Sequence, residues 1–214
     1  MRRELADRRR AMVERQLRGR GLTDERVLAA MERVPRELFV PEELWEYAYE
    51  DAALPIGGGQ TISQPFMVAL ICSQLALRGD ERVLDVGTGS GYQAAVLAEL
   101  AREVHSIERL PELAELARES LDLGGYGERV HVHVGDGTLG LPDHAPFGAI
   151  AVAAAAPEPP RSLYAQLEAG GRLVLPVGER SEQLLEVVER TPCGPVTVRS
   201  VPCRFVPLVG EEGF

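Results

Sequence analysis

The stretch from Arg82 to Gln93, RVLDVGTGSGYQ, constrains the fold of this chain more than any other. Val83, Leu84 and Val86 form a short apolar run that carries one acid, Asp85. Glycines follow at alternate positions, Gly87, Gly89 and Gly91, and Ala94 to Leu100 has the composition of a helix. The pattern predicts a strand, a tight turn and a helix start. Glycine is needed where the backbone takes positive φ or lies against a ligand. A helix start adds free N–H groups and the positive end of a dipole. Alone, the turn is also compatible with an ordinary strand–helix connection.

The chain downstream repeats this alternation. Strands are predicted at about 82–86, 104–107, 130–134, 149–153 and 172–177, with helices at about 91–101, 111–122 and 160–168 between them. Gly170-Gly171 is expected to terminate the last of these helices. Two further strands, about 183–189 and 196–206, close the chain. Strands alternating with helices argue for a parallel sheet covered on both faces. Upstream, residues 3–18 read as helix, and Thr23 or Asp24 can cap a second one. About thirty residues of mixed character follow, with the only tryptophan, Trp45. Pro65 then opens a helix to about Leu77, with Gln64 or Ser63 as its cap. Residues 1–55 are read as a helical extension and 56–214 as the main α/β unit.

Composition narrows the function. The net charge is −10 over 214 residues, which argues against general attraction to nucleic acid or to an anionic membrane. Residues 1–36 carry 11 arginines against 6 acids, a contact surface or a solvated helix face. Lys and Asn are absent, consistent with a GC-rich genome or with avoidance of heat-labile Asn. Cys72, Cys193 and Cys203 show no C-x-x-C spacing and suit a reducing compartment. The arginines of the first ten residues have no apolar run behind them, and no apolar stretch reaches membrane-spanning length. A cytoplasmic chain is expected.

Ligands in open α/β sheets bind beyond the carboxyl ends of the strands. Three acids fall there: Asp85, Glu108 and Asp136. A carboxylate at Glu108 can accept from both hydroxyls of a ribose, and Asp136 can accept from an adenine amino group. Asp85 can fix the turn or meet an ammonium. A dinucleotide fingerprint would place its third glycine at position 92, which is Tyr92. The acid-x-G-x-G-x-G spacing instead resembles the first motif of the class I methyltransferases, which bind S-adenosylmethionine (AdoMet). His131 and His133 alternate on one strand and share a face, but no third ligand stands at zinc-like spacing, so no metal is expected.

A wider resemblance is carried by ALPIGGGQTISQPFMVA at 53–69, GDG at 135–137, APFGAIAVAAAAPEPP at 145–160, LEAGGRLVLPVG at 167–178 and RFVPLVG at 204–210. In this order, with VPRELFVP at 34–41, the chain resembles the protein-L-isoaspartate (D-aspartate) O-methyltransferase family over nearly its whole length. The resemblance implies a doubly wound, mostly parallel, seven-stranded Rossmann-like sheet. It implies methyl transfer from AdoMet to the free α-carboxylate of isoaspartyl residues in damaged peptides and proteins. S-adenosylhomocysteine is then the product, and a succinimide the route to repair. The family's active-site serine matches Ser63, and its cofactor contacts match Gln60, Thr61, Ile62 and Ser63. Further cofactor contacts match Asp85, Val86, Gly87, Thr88 and Gly89, then Glu108, Asp136 and Gly137. Its peptide-binding segments match Ile56-Gly57 and Val206-Pro207-Leu208. A monomer is expected. The resemblance also leaves room for a related carboxyl methyltransferase acting on one dedicated peptide or small acid, or for an inactive AdoMet-binding module. Gly148 and Ala153 depart from the family pattern, where Asp and Thr or Gly are usual, and both are expected near the cofactor side.

Overall fold

The computed structural model describes residues 2–179 and 181–214. Helix α1 (Arg2–Met12) passes without a break into a π-helical turn, Val13–Leu17, and a 3-10 turn, Arg18–Arg20. The helical stretch expected over 3–18 is therefore helical but changes its winding. Helix α2 (Glu25–Arg33) is capped by Asp24, whose Oδ1 accepts the N–H groups of Arg26 at 3.0 Å and Val27 at 3.2 Å. These satisfy two of the helix's otherwise orphaned donors. Two 3-10 turns, Arg36–Phe39 and Glu42–Tyr47, lead to a small hairpin of β1 (Leu54–Gly57) and β2 (Gln60–Ile62).

Helix α3 (Pro65–Gln74) starts on proline, whose fixed φ suits a first helical position. The main unit follows as β3 (Arg82–Val86), α4 (Tyr92–Ala98), β4 (Glu103–Glu108), α5 (Pro111–Gly124) and β5 (Val130–Val134). It continues as β6 (Phe147–Val152), α6 (Arg161–Ala165), β7 (Leu167–Gly178), β8 (Gln183–Thr191) and β9 (Gly194–Cys203). The seven-stranded sheet has the order β5-β4-β3-β6-β7-β8-β9. The first five strands in that order are parallel, and β8 and β9 are added antiparallel. The last two strands, whose order the sequence left open, follow one another outwards, with β9 at the edge. The chain reverses its direction of winding between β3 and β6, and a ligand crevice opens at such a point.

The helices expected at 65–77 and 91–101 end three residues early, at Gln74 and Ala98, and the one expected at 160–168 differs in how it ends. α6 ends at Ala165, and β7 begins at Leu167, so Gly170-Gly171 lies inside a strand and does not terminate a helix. The β6–β7 register slips there, between the Phe147–Leu167 and Ala149–Arg172 pairs. A Cβ on Gly171 would stand 2.8 Å from the carbonyl oxygen of Gly148. Two glycines therefore make a strand bulge with close backbone approach, a role that the same residues can play as readily as a helix stop.

Two apolar clusters pack the sheet, one on each face. The first joins the N-terminal helices to the main unit: Leu17 and Met31 are buried together with Ile71 of α3 and Leu97 of α4. Arg36 is fully buried within this layer. Its Nε donates to the carbonyl of Ala48 at 2.7 Å, and its guanidinium lies over the ring of Tyr92, 4.8 Å from the centroid. Gly148 stands at the start of β6, the end of the sheet away from the glycine turn. There the stem of Glu81 fills the space a side chain would need, 2.8 Å from an added Cβ. The Glu81 carboxylate accepts the loop N–H groups of Arg78 and Gly79, at 2.7 and 2.8 Å. The Gly148 departure thus lies far from the cofactor side, contrary to expectation, whereas Ala153 lies on it.

Candidate active site

The glycine turn is fastened to the neighbouring strand. The N–H of Gly87 donates to the carbonyl of Ile107 at 2.9 Å, and Gly91 N–H donates to Thr88 at 2.8 Å. Gly89 has a φ of 53°, and a Cβ there would press on Ile56 at 3.3 Å. Position 92, where a dinucleotide fold would need its third glycine, holds a fully buried tyrosine at the first turn of α4.

Behind the turn runs a buried polar chain. Thr88 Oγ1 and Ser106 Oγ are 2.6 Å apart, Ser106 Oγ donates to Asp85 Oδ2 at 2.7 Å, and Gln93 Nε2 donates to Asp85 Oδ1 at 2.8 Å. Burial pushes the Asp85 carboxyl up to about 6, and the nearby charge of Glu108 adds to this; the bonds from Gln93 and Ser106 work against it. Of the two roles open to Asp85, fixing the turn is the one its contacts serve. Gln93 keeps one buried acceptor, Oε1, without a partner.

Glu108 is the last residue of β4, and both of its oxygens brace backbone. Oε2 accepts from Gly89 N–H at 2.9 Å and Oε1 from Leu110 N–H at 3.0 Å. Each carboxylate oxygen has a further lone pair for a ligand hydroxyl. Asp136 follows β5. Its Oδ1 accepts the N–H and hydroxyl of Thr138 at 2.9 and 2.7 Å, and its Oδ2 accepts Glu211 N–H at 2.8 Å. Burial raises the Asp136 carboxyl, but the bonds from Glu211 and Thr138 together outweigh it and hold the group below the usual aspartate value. Beside it Gly137 is obligatory in this geometry, since a Cβ would stand 2.7 Å from Val86 Cγ1.

Ser63 lies between β2 and α3. The cap of α3 is supplied from a distance: Asp51 Oδ1 accepts Phe66 N–H at 3.0 Å, and Asp51 Oδ2 accepts from Gln64 Nε2 at 2.9 Å. The helix has no side-chain cap bond from its own N-cap residue, Gln64. Among the described residues Ser63 makes no hydrogen bond, so its hydroxyl is not spent on the helix.

These segments line one open cleft of about 910 Å³, its mouth included. Gln60, Thr61, Ile62 and Ser63 form one wall, and Val86 to Gly89 with Glu108 form another. Gly137 and the segment Val206, Pro207 and Leu208 complete it. The C-terminal segment is held by backbone: Ala155 N–H donates to Val206 at 2.8 Å, and Leu208 N–H to Ala155 at 2.7 Å. Asp85 and Asp136 stand outside the lining, as does Gly57. Ile56 lines a neighbouring apolar groove with Phe39 and Leu113. The cleft also takes in Tyr92, Gln93, Arg109, Leu110 and Ala153 with Ala154. Each of these sits one or two positions beyond a strand end or in the first turn after the glycines, so the strand-end rule could have found them without any acid to mark them.

The cleft suits a nucleoside with a charged tail. It offers spare carboxylate lone pairs at Glu108 and bare backbone at Gly137. Residues 7–213 match the sequence pattern of the protein-L-isoaspartate(D-aspartate) O-methyltransferase family. The chain is 58% identical over 213 residues to protein-L-isoaspartate O-methyltransferase 2 of Marinobacter nauticus, covering 99% of this chain and 97% of that one. It is 55% identical over 208 residues to the protein-L-isoaspartate O-methyltransferase of Aeropyrum pernix, covering 95% and 80%. A Plasmodium falciparum structure assigned to the same enzymes, in complex with S-adenosyl-L-homocysteine, superposes with a TM-score of 0.83 at 26% identity, over 94% of this chain and 98% of that one.

Proposed function

The chain belongs to the protein-L-isoaspartate(D-aspartate) O-methyltransferase family, and from that premise we propose how its cleft performs an AdoMet-dependent carboxyl methylation. The substrate group is the free α-carboxylate of an isoaspartyl residue in a damaged peptide or protein. Its methyl ester closes to a succinimide, which hydrolyses in part to normal aspartate.

Bound in the cleft, AdoMet supplies an electrophilic methyl group on a positively charged sulfur. Glu108 accepts from the ribose hydroxyls while it holds the turn at Gly89. Val86 to Gly89 let the methionine part lie against backbone. Asp136 and Gly137 shape the adenine end, the first from behind the lining. Gln60 to Ile62 and the segment Val206 to Leu208 close the sides. Ile56 and Gly57 border the groove in which an extended peptide approaches.

A carboxylate, with an ordinary pKa near 4, is already ionised at neutral pH, so no general base is required. The demand is placement of oxygen, methyl carbon and sulfur in line. Ser63 meets it by donating its hydroxyl to the substrate carboxylate. The observation that carries this reading is the free Ser63 hydroxyl in the cleft that the glycine turn also lines, while Asp51 caps the adjacent helix. We take residues 1–55 as an extension packed on the catalytic unit 56–214, and the protein as a cytoplasmic monomer whose partners are peptides and proteins, not nucleic acid or membrane. Among the described residues no helix is long and apolar enough to cross a membrane.

The test is tritiated methyl transfer from AdoMet to several unrelated isoaspartyl peptides beside their aspartyl twins. Labelling of the isoaspartyl members alone is expected. Labelling of a single peptide would favour a dedicated carboxyl methyltransferase, and AdoMet binding without any labelling would make the chain an inactive binding module.

A further inference from the structure

The four histidines of this chain, His105, His131, His133 and His144, gather on one face of the sheet. They come from three elements. His105 lies mid-strand on β4, and His131, its register partner, lies on β5 with His133 two residues on. His144 is carried in by a 3-10 turn, Pro142–His144, in the loop after β5. Sequence spacing could show only the His131–His133 pair, because the other two arrive through strand pairing and loop packing.

Three of the rings converge. His105 Nδ1 and His133 Nε2 are 3.0 Å apart. The ring of His144 stands 4.4 Å from that of His105 and 4.8 Å from that of His133, between centroids. One nitrogen from each of the three lies within 4.8 Å of the others. Two imidazoles on a tetrahedral zinc at the usual bond length stand about 3.3 Å apart. The His105–His133 pair is already at that spacing to within a few tenths of an ångström. His144 is half-buried, and its nitrogen must move inward by up to about 1.5 Å to close the set.

The far side of His105 carries the usual second half of such a site. Its Nε2 faces Glu103 Oε1 at 3.2 Å, and Glu103 is held in turn by Arg82 Nε at 3.1 Å. A carboxylate on one ring nitrogen fixes the tautomer, so that the other nitrogen, here Nδ1, offers its lone pair to the centre of the cluster. Arg82 also donates from Nη1 to the His144 carbonyl at 3.1 Å, which anchors the loop over the strands.

We propose that His105, His133 and His144 form a binding site for a divalent transition metal of the zinc type, with water in the fourth position and Glu103 as the outer carboxylate. An all-imidazole set selects Zn²⁺, Ni²⁺ or Cu²⁺ over Mg²⁺ or Ca²⁺. The metal would take the place of the proton shared by His105 and His133, and it would tie β4 and β5 to the loop that begins at Asp136-Gly137. The reaction does not pass through it. His131, half-exposed with its Nε2 3.5 Å from Glu103, stays outside.

The test is a Zn²⁺ titration of the full chain carrying Cys193→Ser, so that the exposed thiol does not compete. Competition with a chromophoric chelator should give one site per chain. Glu103→Gln should weaken it by about 10-fold, the low end for an outer partner, His133→Ala and His144→Ala each by at least about 100-fold, and His131→Ala by less than about 3-fold. AdoMet affinity measured on each variant reports folding. Imidazole NMR of the unsubstituted protein gives the same answer without any variant: Zn²⁺ should shift three of the four rings, with His131 least affected. No saturable site at micromolar Zn²⁺, a site unmoved by His133→Ala and His144→Ala, or a shift confined to His131 would each overturn the proposal.

Discussion

Glu108 Oε2 accepts the backbone N–H of Gly89 at 2.9 Å, so the carboxylate that ends one parallel strand holds the turn that ends the next. One side chain therefore shapes the turn and keeps lone pairs for a ligand. Replacing it with alanine removes both. Loss of one charge-assisted hydrogen bond, about 1.5–3 kcal/mol, predicts AdoMet binding weaker by roughly 10- to 100-fold for Glu108→Ala. Calorimetry reads this directly, and an unchanged affinity would place the carboxylate outside the cofactor site.

Ser63→Ala separates turnover from cofactor binding. With Asp51 capping the helix, the hydroxyl is free for the substrate carboxylate. Its loss should lower turnover by about 10- to 100-fold, the worth of one hydrogen bond to a charged group, and should leave AdoMet affinity within about 3-fold. A loss of stability with turnover intact would assign the serine to the fold.

Asp85 gives a pH signature. A carboxyl whose folded pKa is raised binds its proton more tightly in the native state than in the unfolded one. Its stabilising contribution is full below the unfolded value, near 3.8, and is lost as pH rises through about 6. The loss is on the order of 3 kcal/mol, from a shift of about two pK units. Asp85→Asn removes this slope: its amide can donate to Ser106 while its oxygen still accepts from Gln93. Urea unfolding from pH 4 to 7 without ligand should show the wild type losing stability relative to Asp85→Asn as pH rises. A difference that stays flat, or grows in favour of the wild type, contradicts the assignment.

The contact of Gly137 with Val86 predicts a coupled pair. Gly137→Ala should destabilise by about 1–3 kcal/mol through overpacking. In the double variant with Val86→Ala the methyl group finds room, so the two effects should fall short of their sum by on the order of 1 kcal/mol. Strict additivity of the denaturation midpoints would mean that the strain is relieved elsewhere.

The alternation of strands and helices was legible because each element is short and has its own period. The strands at 82–86 and 130–134 match to the residue. The helix expected over 160–168 was not legible in the same way. Its glycines serve a bulge whose need arises only when Gly171 meets Gly148 across the sheet. In the site, the acids at strand ends pointed to Glu108, but sequence spacing does not tell a lining carboxylate from one behind the lining, as at Asp85 and Asp136. That distinction depends on which face each strand end turns to the cleft. The histidine cluster shows the same limit, since His105 and His144 join His133 only through register and loop packing.

The clasp on Asp136 has a bearing on how this protein ages. Aspartate followed by glycine is the sequence most open to attack of the next backbone nitrogen on the side-chain carboxyl, the step that makes isoaspartate in the first place. The chain has no asparagine, the faster source, and Asp136-Gly137 is its only Asp-Gly step. There the side chain is ionised, a poor electrophile, and its oxygens are held by Thr138 and by Glu211 from the far end of the chain. Gly137 cannot be exchanged for a bulkier, slower-reacting residue without striking Val86. A protein whose work is to mend this lesion thus keeps one unavoidable copy of the vulnerable step, and its fold restrains that step from reacting.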